Sequence, residues 1–152
     1  MNLNIIKISN KCYKLYKIIN FQNEIIILNF ENITSPFGLE KFQNNYYINW
    51  EIDIESKKIL NKIEEEIIKI IKEIKSDFNF ISNIKERYNF LPLLKTRIPQ
   101  IKNKFIVDSN KSLFDIDYKL KLNITIEIDS IWFNEKNKTC GILWFTKSIN
   151  NI

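Results

Sequence analysis

Three pairs of carboxylates stand two residues apart in this chain: Glu51 with Asp53, Asp115 with Asp117, and Glu127 with Asp129. On a strand, that spacing puts both acids of a pair on one face, and a metal-dependent nuclease could hold its cations with such pairs. The solvated face of a half-buried strand has the same look, and that plainer reading is preferred. Other catalytic chemistry is harder to build. Without a single histidine in 152 residues, a Ser–His or Cys–His nucleophile pair cannot exist. Cys12 and Cys140 are the only thiols, too few for a disulfide framework or, in the absence of histidine, for a four-ligand zinc site. Gly38 and Gly141 are the only glycines, so there is no glycine-rich phosphate loop. The expectation is a protein that is not an enzyme and carries no cofactor and no metal.

Aromatics interleaved with cations offer a different chemistry. Flat side chains stack on bases and cations track phosphates, and the combination binds single strands with little regard for sequence. Residues 94–107 hold Lys95, Arg97, Lys102 and Lys104 and no acid. The net charge of +5 permits an anionic partner without requiring one. Composition tempers the lysines: 32 Ile, 21 Asn and 21 Lys with no Ala are the mark of an AT-biased genome. Arg97, one of two arginines, is therefore the better sign of a specific contact, because its planar fork matches phosphate geometry. The candidate interface is Phe37, Lys41, Tyr47, Tyr88, Lys95, Arg97, Lys102, Lys104, Phe133 and Lys147. Most aromatics fill cores, and two tryptophans are expected there: Trp50 on the apolar face of its strand, and Trp132 in phase with the apolar residues before it. Tyr47 lies on the polar face and is the better stacking residue.

These side chains must be positioned by a mainly β framework. "NLNIIKI", "CYKLYKIINF" and "EIIILNF" read as β-branched and aromatic strands, separated at Ser9-Asn10 and Gln22-Asn23. Residues 46–54 alternate, with Tyr46, Ile48, Trp50, Ile52 and Ile54 on one side and Tyr47, Asn49, Glu51 and Asp53 on the other. The period then changes to that of a helix with one buried face over residues 54–78: Ile59, Leu60, Ile63, Ile67, Ile70, Ile71, Ile74 and Phe78. Glu65 and Lys69 form a favourable i, i+4 pair. "FISNIKERYNF" extends the helix or starts another turn, and Pro92 stops it. "LPLLKTRIPQIKNK" reads as a loop or irregular ribbon, "FIVD" and "SLFDIDY" as strands. "KLKLNITIEIDSIWF", the turn "NEKNK" and "TCGILWFTKSI" read as a terminal hairpin. The result is one α+β domain over residues 1–152, mainly β with one long helix. A helix between strands 3 and 4 of a five-stranded closed sheet is the layout of an OB-fold barrel; a generic α+β domain fits the same string. The amino terminus lacks the apolar core and cleavage site of a signal peptide, and no apolar run is long enough to span a bilayer. Those features predict a reduced, cytoplasmic protein with no membrane partner.

Three pieces of the chain, about half of it, resemble the OB-fold single-stranded DNA-binding proteins of large cytoplasmic DNA viruses and of virus-like linear DNA plasmids of yeasts. "SPFGLEKFQNNYYIN" supplies a Pro36-Phe37-Gly38 turn leading into a Tyr-rich strand, "LPLLKTRIP" follows the helix, and the terminal hairpin carries Ile131-Trp132 and then Gly141-Ile142-Leu143-Trp144. Thr146 and Lys147 stand where the family pattern has a Gln. The resemblance implies a non-enzymatic protein that coats single-stranded DNA during replication. Its partners would be single-stranded DNA first, with RNA, replication proteins and a second copy of the chain as further candidates. In that setting Pro36 and Gly38 shape a tight turn that either presents Phe37 and Lys41 beside Tyr47 or plugs Phe37 into the barrel end. An RNA-binding module and a protein-interaction subunit of a replication or transcription complex are the rival readings.

Overall fold

A computed structural model describes residues 25–152 in full and, ahead of them, the backbone of residues 3–9 and 14–20. Cys12 and the turn at Gln22-Asn23 lie outside the described residues. Among the described residues, five strands precede the helix: β1 (Leu3–Ser9), β2 (Lys14–Asn20), β3 (Ile27–Ile33), β4 (Leu39–Phe42) and β5 (Asn45–Glu51). The helix therefore follows the fifth strand in chain order rather than the third. Its start is set by Asp53, whose carboxylate accepts a hydrogen bond from the Ser56 backbone N–H at 2.7 Å, satisfying one of the first-turn donors. α1 (Ile54–Ile74) buries Leu60, Ile63, Glu64, Ile67 and Ile71. The buried face is narrower than the sequence stripe: Ile59 and Ile74 are exposed, as is Ile54 at the helix start. Lys69 contacts Glu66 at 3.5 Å rather than Glu65. The helix stops at Ile74, four residues short of the buried Phe78.

After it come β6 (Asn79–Phe80), β7 (Ile84–Arg87), β8 (Phe90–Ile98), β9 (Gln100–Ile101), β10 (Lys104–Phe105) and β11 (Asp108–Ser109). Three sequence expectations are corrected here. "FISNIKERYNF" is not helical, and "LPLLKTRIPQIKNK" is not a loop: it holds most of β8, a nine-residue strand with Leu93, Leu94, Thr96 and Ile98 buried, and then β9 and the start of β10. Pro92 is tolerated because its carbonyl accepts from Ile52 N–H at 3.0 Å while it has no N–H of its own to satisfy. "SLFDIDY" holds a 3₁₀ turn (Leu113–Asp115) in place of the expected strand. The long hairpin is as expected: β12 (Leu122–Asn134) and β13 (Thr139–Asn151), joined by a turn in which Asn134 Oδ1 accepts from the N–H groups of Lys136 and Asn137.

β12 pairs antiparallel with β3 on one side and β13 on the other. β13 meets β8 in parallel at Phe145 and Arg97, and β8 pairs antiparallel with β5. A backbone bond from Glu51 N–H to Thr34 C=O, 2.8 Å, links the end of β5 to the residue after β3. Ile48 and Trp50 from β5, Ile52 just after it, the helix stripe, and the inward residues of β12 and β13 form one core cluster. Burial of each such side chain favours folding by about 1.5–3 kcal/mol. A polar tie runs through the core. Trp50 Nε1 donates to Thr96 Oγ1 at 3.1 Å and lies 3.3 Å from Thr146 Oγ1, the two hydroxyls lie 2.7 Å apart, and Thr96 also reaches the Ile48 carbonyl. These bonds satisfy an indole that would otherwise be costly to bury, and they lock β5, β8 and β13 together behind the surface described next. No helix among the described residues is long and apolar enough to cross a membrane.

Candidate nucleic-acid interface

The β5–β8 register sets Tyr47 opposite Arg97 and Asn49 opposite Lys95. Alternation turns all four away from Ile48 and Trp50, as the sequence pattern requires. Lys95 Nζ lies 4.4 Å from the Tyr47 ring centroid, within range of a cation–π attraction, and Arg97 donates from Nη2 to Asn45 Oδ1.

The second wall comes from the hairpin, where the structure reverses the expected phase. The β12–β13 register slips between Ile128 and Ser130, and such a bulge re-aims every side chain beyond it. Phe133, expected on the nucleic-acid surface, is only 3% exposed, with its ring edge-on to Phe78 at 5.3 Å. It cannot stack on a base. Trp132, expected inside, is half-exposed and faces out. The reason it fits is Gly141, directly across the hairpin: a Cβ there would sit 2.7 Å from the indole. The ring lies against bare backbone.

The third wall is the segment from Ile81 to Lys85. It is tied to β8 by a backbone bond from Lys95 N–H to Asn83 C=O and by Asn83 Nδ2 to the Lys95 carbonyl, both 3.0 Å. It is tied to the helix by Ser82 Oγ, which donates to Glu64 Oε1 at 2.6 Å. Burial pushes the Glu64 carboxyl above its ordinary range, and the Ser82 bond partly opposes that rise. Together the walls enclose a groove of about 720 Å³ with Tyr47 and Trp132 as aromatic surfaces, Lys85, Lys95 and Arg97 as cations, and no carboxylate in the lining.

The remaining candidates are distributed elsewhere. Phe37 is 58% exposed and does not plug the core. Gly38 holds the turn beside it with φ of +64°, and a Cβ there would come within 2.2 Å of the Ile116 carbonyl oxygen. Ser35 Oγ accepts from Gly38 N–H and donates to the Asn49 carbonyl, pinning the turn to β5. Lys41 lies across from Tyr46 with Nζ 5.4 Å from that ring. Lys102 and Lys104 are exposed in the β9–β10 hairpin, whose turn residues Lys102 and Asn103 both have positive φ. Lys147 sits 3.4 Å from the buried Glu127 carboxylate, so its charge is already met. Tyr88 is exposed at the tip of the β7–β8 hairpin, beside the Arg87–Glu51 ion pair and at the opposite end of β8 from Arg97.

Five of the six paired acids have structural partners, Glu127 through the Lys147 contact above. Glu51 accepts from Arg87 and Thr34, Asp53 caps the helix, Asp117 accepts from Lys119 N–H, and Asp129 accepts from Ser130 Oγ. Among the described residues no three His, Cys, Asp or Glu side chains gather where they could hold a metal. Comparison with family models, with curated proteins and with solved structures finds no match for this chain.

Proposed function

We propose that this chain is a non-enzymatic OB-fold protein that coats single-stranded DNA with little sequence preference and protects it during replication in the cytoplasm. The observation that carries this reading is the acid-free groove of Tyr47, Trp132, Lys85, Lys95 and Arg97: two ring surfaces for bases and three cations for phosphates. The strand pairings support the fold part. Five of the strands, β3, β5, β8, β12 and β13, make a circuit β3–β12–β13–β8–β5, with the Glu51–Thr34 bond at its seam. Counted this way β5 and β8 are strands 2 and 3, the pair whose outer face binds oligonucleotides in OB barrels. The helix then lies between strands 2 and 3 of the count, not 3 and 4. A competition titration against single-stranded DNA, single-stranded RNA and duplex of equal length tests the proposal. Preference for single-stranded DNA is the expected result. Equal or tighter RNA binding assigns the groove to RNA, and indifference to all three removes the reading. A protein-interaction role is favoured by the exposed Tyr88, Phe90 and Leu91 at the β7–β8 tip.

A further inference from the structure

Tyr46 points the opposite way from Tyr47 and begins a row of three rings. Phe105 stands edge-on to it, centroids 5.0 Å apart, and Phe114 is tilted against Phe105 at 6.0 Å. With Lys41 over the Tyr46 ring, they wall a second hollow of about 400 Å³ whose other lining residues are the amides Asn44, Gln100 and Asn103. No carboxylate lines it. Tyr46 and Phe105 lean on the core, but Phe114 is 70% exposed, which a ring serving only to plug the end of the core would not be. The parts complement one nucleotide: a ring face for the base, amides that each donate and accept for its edge, and an ammonium for its phosphate. A middle hollow of about 390 Å³, with Asp129 as the one carboxylate in its lining, shares Arg97 and Leu143 with the Tyr47–Trp132 groove and Gln100 with this one, so the three adjoin. Lys102 and Lys104 flank Asn103 at its margin.

We infer that Tyr46, Phe105 and Phe114 form a second nucleotide seat, filled by the strand that occupies the Tyr47–Trp132 groove after it passes Arg97. The inference rests on the single-strand reading above. It is tested by titrating oligothymidylates of increasing length against the wild type, Phe114→Ala and Phe114→Tyr. Wild-type affinity should rise in a step at the length that spans both sites, by about 5- to 150-fold for one added base stack. Phe114→Ala should remove the step and leave shorter oligomers unaffected, while Phe114→Tyr keeps a ring and keeps the step. Asn103→Asp, a change at an exposed turn, should reproduce the loss by adding a carboxylate. A step that survives both Phe114→Ala and Asn103→Asp, a wild type without a step, or an equal loss at every length overturns the second seat while leaving the main groove standing. Failure of the wild type to bind at any length removes the single-strand reading and this inference with it.

Discussion

Trp132 and Phe133 are neighbours and so face opposite sides of β12; the bulge between Ile128 and Ser130 decides which of the two faces out, and truncating each in turn tests that assignment. Phe133 is 3% exposed and packed edge-on to Phe78. Cutting a buried Phe to Ala leaves a cavity and costs about 3–5 kcal/mol. At about 2–4 °C per kcal/mol for a chain of this length, Phe133→Ala should melt roughly 6–20 °C below the wild type. Its affinity for an oligothymidylate, measured at a temperature where it is folded, should be unchanged. Trp132 is half-exposed and its ring lines the groove. Trp132→Ala should therefore keep most of the melting temperature and lose about 1–3 kcal/mol of binding, one base stack. Fluorescence adds an independent readout, because Trp50 and Trp144 are 0% and 1% exposed and only Trp132 can meet a solvent quencher. Oligonucleotide should shield that signal from acrylamide. Comparable melting losses in both variants with full affinity in Trp132→Ala would refute the reversed phase and the groove together.

Salt dependence checks the cations: each phosphate contact contributes about 0.7 to the slope of log affinity against log salt on single strands, so Lys95→Gln should flatten that slope by about 0.7 in a titration between low and moderate salt. Glu64 has a raised pKa, so the native state holds its proton more tightly than the unfolded chain; that contribution is complete below the unfolded pKa and fades as pH rises through the folded one. Urea unfolding across that acidic-to-neutral window should show Glu64→Gln losing less stability with rising pH than the wild type. Gly38→Ala should lower stability by more than about 1 kcal/mol in the same assay, since the added Cβ meets the Ile116 carbonyl oxygen and φ is positive.

What the sequence made legible follows from which forces act locally. The phase of β5 was readable because nothing interrupts its alternation: Ile48 and Trp50 are buried and Tyr47 faces the groove. The helix start was readable from the change of period at residue 54. Its end was not, because Phe78 continues the helical spacing after the backbone has left the helix. β8 was misread because Pro92 signals a break, and only a tertiary partner, the Ile52 N–H, shows that it can sit in a strand. Trp132 was missed for a different reason. A bulge depends on pairing between strands, and counting alternate residues along one strand cannot see it. A signal was nevertheless present. Glycine inside a strand marks close backbone approach, and counting outward from the turn at residues 134–139 places Gly141 opposite Trp132. In a chain with only two glycines, each is spent where a side chain would collide: Gly38 against Ile116, and Gly141 beneath the indole that walls the groove. The second glycine thus points to the candidate surface more directly than the number of aromatics does, because it records the position of a ring rather than its presence.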